Sequence, residues 1–215
     1  MYYLVIDLEM CGVPKMSRRN GYSLYKEIIQ IGAVMLDEDY AEVDRLSILV
    51  RPQFGNIDKF IERLTGIKYR DVKNAPMIAE AVDSLIEWIG ERECRAVQWS
   101  SSDLTQLSQE LNAKNISSEA IEKFLDPERW EDYQQKFDDR FGYTSSTSLE
   151  QALILCNIDT EGRMHDGLAD AANTAALIRF LEHNPDYKIK NLLDEYSSDE
   201  PCTYSLGSIF SKLNL

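Results

Sequence analysis

Long apolar runs are missing from this sequence, and that absence sets the first bound. No stretch of about 18 apolar residues occurs in the 215-residue chain, so no membrane span is expected. The opening segment, MYYLVIDLEM, lacks a basic start and meets acids within its first ten residues, which argues against a signal peptide. Sulfur is sparse and scattered. Cys11, Cys94, Cys156 and Cys202 form no CxxC pair, and the simple reading is reduced thiols in a cytoplasmic protein. Positive charge is in deficit, with 23 basic against 37 acidic residues, a net charge of −14. That balance speaks against gripping long duplex nucleic acid through a broad basic face. It leaves room for a site where bound cations neutralise both the protein's acids and a substrate's phosphates. Internal repeats and low-complexity segments are absent as well.

What is present suits one ordinary α/β domain. Hydrophobic residues make up 44% of the chain, enough for a substantial core. Residues 2–6, YYLVI, form a continuous β-favouring run that reads as a buried strand. EIIQIGAVMLD (27–37) predicts a second strand and DRLSILVRP (44–52) a third, with the polar turn DEDYAE making the pair an antiparallel hairpin. Helical spacing follows from Asn56 to Tyr69, with Gly66 as its stop. APMIAEAVDSLIEWIGE is an amphipathic helix ended at Gly90, and CRAVQWSS is a short strand. SDLTQLSQELNA predicts a helix with Ser102 as a possible N-cap, and TSLEQALILCNI one capped by Thr147 or Ser148. A last helix runs to about His183 and stops at NPD. The order is three strands, helices, a strand, then helices, an α/β domain with a mixed sheet. The acid-rich run DPERWEDYQQKFDDRF reads as a solvated face. Residues 1–184 form the expected domain, and 185–215 an acidic extension whose end, SLGSIFSKLNL, is amphipathic and expected to pack on the body.

Three stretches carry the chemistry. In VIDLE, strand alternation puts Asp7 and Glu9 on one face, roughly 7 Å apart along the chain. Buried without partners, each carboxylate would cost several kcal/mol, roughly, and a hard divalent ion with oxygen ligands relieves that cost. Two solvated acids at a strand end is the plainer account of the pair taken alone. Asp103 follows the strand AVQW and opens a helix, where capping is an alternative to ligation. In MHDGLADAANTAALI, His165 and Asp170 stand five positions apart. On one regular helix they would point about 140° apart and share nothing. Gly167 resolves this: the histidine lies on a flexible approach, the helix begins at Asp166 or Gly167, and Asp170 sits in its first turns. Ala169, Ala171 and Ala172 then let the helix lie close against the sheet, placing Asp170 beside Asp7 and Glu9 with His165 over the same point. The other histidine, His183, sits at a helix C-terminus, where a cation is favoured structurally.

In order, DLE, EIIQIGAV, LTGI, WSSSD and HDGLADAANTAALI resemble the motifs of the DEDDh 3′–5′ exonucleases. That group includes proofreading subunits of DNA polymerases, RNase T and the RNA-trimming enzymes related to the enhanced-RNAi proteins, the branch these motifs resemble most. The resemblance covers roughly residues 2–182. It implies an RNase H-like fold, a central mixed β-sheet flanked by α-helices. It implies that Asp7, Glu9, Asp103 and Asp170 hold two Mg²⁺ or Mn²⁺ ions and that His165 is the general base. It further implies substrate contacts from LTGI, through Leu64, Thr65 and Ile67, and from the segment after D-x-E. There the family carries a small residue and a threonine, where Met10 and Cys11 stand here; a backbone N–H can still serve. The basic loop that follows places Lys15, Arg18 and Arg19 to meet phosphates and Tyr22 or Tyr25 to stack on bases, against the alternative of an ordinary solvated loop. The implied activity is hydrolysis of single-stranded RNA or DNA from the 3′ end, RNA before DNA, releasing nucleoside 5′-monophosphates. The lack of an appended nucleic-acid module is consistent with short substrates or a recruiting protein partner. An idle exonuclease fold used as a scaffold is the competing reading; the complete set of four acids and a histidine argues against it.

Overall fold

The computed structural model describes residues 1–18 and 23–189. Strand β1 (Tyr2–Gly12) is followed by a one-turn helix α1 (Lys15–Arg18), strands β2 (Lys26–Leu36) and β3 (Glu42–Leu49), and helices α2 (Lys59–Thr65), α3 (Tyr69–Val72) and α4 (Ile78–Ile89). Strand β4 (Cys94–Gln98) leads into α5 (Ser102–Ala113) and α6 (Glu119–Phe124). A 3₁₀ turn (Pro127–Arg129), a short strand β5 (Trp130–Asp132) and helices α7 (Tyr133–Phe141), α8 (Leu149–Leu155) and α9 (Gly167–His183) complete the described elements. The sheet runs β3-β2-β1-β4-β5, antiparallel across the first three strands and parallel from β1 to β4 and from β4 to β5. This is the expected mixed sheet flanked by helices.

Side-chain parity on β1 decides which residues serve the core and which the site. Leu4, Ile6 and Leu8 point into one layer, packed with Ile78, Val82 and Leu85 of α4 and Leu107 and Leu111 of α5. Val5 points into the other layer with Phe137, Leu153, Leu177 and Ile178 from α7, α8 and α9. Asp7 and Glu9 share the parity of Val5, so they emerge on the α9 side of the sheet. Because β4 pairs only with Tyr2 to Val5, β1 runs on past its parallel neighbour. The two acids therefore stand outside the carboxyl ends of the parallel strands, where open α/β sheets leave their crevice.

Two expectations are corrected here. DPERWEDYQQKFDDRF is not a solvated face: it supplies β5 and α7, with Trp130, Tyr133 and Phe137 buried. Its aromatics at positions 133, 137 and 141 were a helical stripe hidden among charges. The predicted boundary at 184 also falls short of the packed body. Tyr187 stacks edge-on against Phe141 and Phe180, and its hydroxyl donates to the Leu155 carbonyl at 3.1 Å. The amphipathic end SLGSIFSKLNL lies outside the described residues, as do Arg19 and Tyr22.

Candidate active site

Four backbone arrangements bring the acids together. The first is β1 itself, which carries Asp7 opposite Gly32 and Glu9 opposite Gln30 of β2, with a register shift immediately after Glu9. Such a bulge re-aims the strand where pairing changes. The second is the start of α9. A Cβ placed on Gly32 would lie 2.0 Å from the Gly167 carbonyl carbon, and one on Gly167 would lie 3.2 Å from the Asp7 carbonyl oxygen. Backbone meets backbone, and no side chain fits between. Gly32, which the sequence reading passed over, thus sets how near Asp170 comes to β1. Ala171 and Ala172 are buried as expected, whereas Ala169 is half-buried against Gly162.

The third arrangement holds Asp103. The residue is buried, and its Oδ1 accepts a 3.0 Å hydrogen bond from the Leu8 N–H, on the part of β1 beyond β4. It does not cap α5, and neither does the expected Ser102. Ser101 occupies the cap position without a side-chain bond, and Gln98 accepts from the Leu104 N–H at 2.9 Å instead. Asp103 is thereby left free to face β1.

The fourth arrangement is the approach to α9. Asp166 caps the helix, accepting from the N–H groups of Leu168 and Ala169 at 3.1 Å each. Gln30 is buried beneath it; its Oε1 accepts from the Gly167 N–H at 3.0 Å, and its Nε2 donates to Ser47 at 3.1 Å. His165 has φ of 65°, in the left-handed region, and its N–H donates to Asp170 Oδ2 at 2.9 Å. The histidine and Asp170 are therefore joined through the backbone, while the imidazole stays exposed. Farther back, Arg163 reaches across to the carbonyls of Arg63 and Leu64 at the end of α2. Glu161 is tied to Arg45 of β3 and by its N–H to Asn173 at 2.7 Å. The approach is tethered on both sides of His165.

Asp7, Glu9, Asp103, Asp170 and His165 line one cavity of about 440 Å³, together with Met10, Trp99, Ser100 and Gln134. Within it, ligand atoms of Glu9, His165 and Asp170 all lie within 4.8 Å of one another. The electrostatics are those of carboxylates crowded together away from water. Burial first, then Asp103, Asp170 and Glu9, push Asp7 well above the usual carboxylate range. Burial and the charge of Asp170 push Glu9 up to about 8. Burial pushes Asp103 up to about 7, against the opposing pull of the Leu8 N–H, and burial also raises Asp170. Among the described residues none of the four acids forms an ion pair. Oδ1 of Asp170 is buried with no hydrogen-bond partner, the kind of orphan that native proteins rarely tolerate.

Of the expected substrate-contact residues, one lies at the acid cavity. Met10 lines the acid cavity, half-buried. Cys11 does not: its side chain is buried in a cluster with Ile29, Ile67 and Val72, and burial pushes its thiol up to about 12. Ile67 shares that cluster, and Thr65 is buried with its hydroxyl donating to the Ile61 carbonyl at 3.0 Å. The core therefore claims the side chains of Cys11 and Ile67. Leu64 is half-buried. Gly66, with φ of 82°, ends α2 as expected. Thr65, Gly66 and Ile67 border a neighbouring hollow of about 390 Å³ with Gln30, Arg163 and Asp166. Lys15 and Arg18 lie on α1, with the Arg18 guanidinium 4.2 Å from the ring centre of Tyr25, and neither lines the acid cavity. Gln134, Ser148 and Glu150 do line it; sequence reasoning passed over Gln134 because the α7 region read as solvated, and gave Ser148 and Glu150 only a place at the start of a helix.

The model of the RNase T family, described as exonuclease, matches residues 4–178. The chain belongs to that exonuclease family. The exonuclease family suggested by the five motifs and the RNase H-like fold are both borne out. Rattus norvegicus 3′–5′ exoribonuclease 1 is 24% identical over 205 residues, covering 89% of this chain and 56% of the relative. The Homo sapiens protein of the same name is 25% identical over 195 residues, covering 87% and 54%. The chain thus spans little more than half the length of these relatives. The fold matches a full-length 3′-exonuclease at a TM-score of 0.73, with 20% identity over 86% of this chain and 82% of that one. It matches the nuclease domain of 3′hExo, a DEDDh family member bound to rAMP, at 0.69, with 21% identity over 88% and 96%.

Proposed function

We propose that this exonuclease-family chain is a two-metal-dependent 3′–5′ exonuclease that removes nucleotides from the 3′ ends of single-stranded RNA in preference to DNA and releases nucleoside 5′-monophosphates. One observation carries this reading. Four buried or half-buried carboxylates face one cavity, burial raises the proton affinity of all four, and they include an orphaned oxygen on Asp170. Hard divalent ions with oxygen ligands fit that donor set, so Asp7, Glu9, Asp103 and Asp170 would hold two Mg²⁺ or Mn²⁺ ions. When bound, such a pair supplies positive charge to the attacking water and to the leaving 3′ oxygen.

The chain's own residues do the remaining work. Leu8 orients Asp103 through its N–H, which donates to one carboxylate oxygen. His165 presents an exposed imidazole at the cavity rim, and a ring nitrogen there would take the proton from the attacking water. Its backbone bond to Asp170 keeps proton acceptor and ligand in step. The preference for RNA is supported by the curated relatives, which are exoribonucleases by name, and by a fold neighbour described as recognising the 3′ end of a histone mRNA stem-loop.

The test uses 5′-labelled RNA and DNA oligonucleotides with Mg²⁺, Mn²⁺ or EDTA. The expected result is a ladder shortened from the 3′ end, faster on RNA and abolished by EDTA. Intact but bound substrate under every metal condition would instead establish a scaffold.

A further inference from the structure

A second concavity lies at the opposite end of β4 from Asp103, and its chemistry is the reverse of the acid cavity. It has a volume of about 310 Å³, within the range of small-molecule sites. Its floor is apolar: Ile86 and Ile89 of α4, Cys94 and Ala96 of β4, and Phe124 of α6. Around it stand Arg92, Lys123 and Arg129, with Glu91 as the one acid among the lining residues. In a chain of net charge −14, three cations gathered on one hollow are a local inversion of sign. They converge closely enough that all three oppose the effect of burial on the Cys94 thiol.

Both guanidiniums are held in place by the chain. Arg92 donates through Nη1 to the Trp88 carbonyl at 2.6 Å, and its Nη2 lies 3.8 Å from Asp44. Arg129 donates through Nη2 to the Cys94 carbonyl at 3.2 Å. These bonds occupy part of each planar fork and leave other N–H donors unused. Lys123 is exposed and has no carboxylate partner among the described residues. Three like charges so placed repel one another, and an anion at the mouth removes that repulsion. The apolar floor adds a second requirement, because water there gains nothing that an apolar group would not better.

We propose that this hollow is a binding site for a small amphipathic anion, a carboxylate or phosphate head held by Arg92, Lys123 and Arg129 over an apolar body seated on Ile86, Ile89 and Phe124. The site is separate from the acid cavity, shares no residue with it, and stands whether or not the exonuclease reading does.

The experiment titrates the full chain with octanoate, AMP or inorganic phosphate, followed by calorimetry and by amide shifts in two-dimensional NMR. Octanoate or AMP is expected to bind with a Kd on the order of a millimolar or tighter, moving the amides of Gly90, Arg92, Cys94, Ala96 and Ala120. Octanoate alone acting would mark an acyl carboxylate site, and AMP alone a nucleotide site. Inorganic phosphate, lacking the body, is expected to bind about tenfold more weakly or worse. Lys123→Gln and Arg129→Gln should each weaken binding about tenfold. Ala120→Trp, placed at an exposed position on the rim, should block binding while leaving the melting temperature unchanged. Failure of both amphipaths to move those amides, equal binding of bare phosphate, or full binding by the Ala120→Trp protein would overturn the proposal.

Discussion

Two clusters of buried carboxylates lie in this molecule, and they differ in one component. Glu27 of β2 and Glu110 of α5 are fully buried, and Lys114 lies between them with its ammonium 2.7 Å from each. Glu110 also accepts from the Ile28 N–H at 2.8 Å, beside the register shift in β2, and Glu27 accepts from Phe54 and Gly55. Burial pushes Glu27 up, but the Lys114 ammonium and those main-chain donors outweigh it and hold the carboxyl below its ordinary range. Burial wins at Glu110, which is raised despite Lys114. Asp7, Glu9, Asp103 and Asp170 have no such ammonium among the described residues, and all four are raised. A cluster that carries its own cation is architecture. The one that lacks it is the cluster for which we propose metal ligation.

That contrast can be broken experimentally, beginning where the effect is largest. His165→Ala should lower kcat by about 10²–10⁴-fold while Mn²⁺ still binds, as read by calorimetry. Asp7→Ala should lose both turnover and metal affinity. Near-normal hydrolysis by either variant would sink the assignment. Lys114→Met is the opposite kind of lesion. Leaving Glu27 and Glu110 without their ammonium should cost about 3–5 kcal/mol in urea unfolding, with no change in metal affinity. If chelators and this variant destabilise the protein in the same way, the two clusters are not distinct.

Gly32→Ala separates placement from charge. The added methyl must push α9 from β2, costing about 1–3 kcal/mol and lowering turnover together with metal affinity, while the Lys114 cluster is untouched. The smallest effect is on pH dependence. In the metal-free protein Glu9, at about 8 against 4.5, and Asp103, at about 7 against 3.8, hold protons that the unfolded chain releases. Their contribution is full below the unfolded values and is lost as pH rises towards 8. Glu27 runs the other way: its stabilisation is present above its unfolded pKa and disappears as pH falls. Adding Mg²⁺ should flatten the loss at high pH and leave the acid limb unaltered, which denaturation at a series of pH values would read.

The sequence made the site legible where chemistry repeats a spacing. Asp7 and Glu9 follow strand parity, and the five-residue gap from His165 to Asp170 demanded a break that Asp166 and Gly167 provide. It was less legible where contact depends on the fold. Gly32 gives no sign of its role until β2 is laid under α9. Lys114, Glu27 and Glu110 join segments 83 or more residues apart or one helical turn apart, and no local pattern distinguishes them from surface charges. Helix α7 was hidden because charged residues outnumber its aromatics, although Tyr133 and Phe137 face inward four apart. The burial of Cys11 and Ile67 was hidden for a related reason: a motif marks a segment, and packing decides which side chains remain exposed.

The close approach of Gly32 to Gly167 has an evolutionary corollary. A methyl gained on one partner cannot be offset by trimming the other, because the other has no side chain to lose. Descendants of this chain that change either position without shifting a whole helix should surrender the acid cavity together, ligand and proton acceptor alike, since Asp170 and His165 are both borne by the segment that would move.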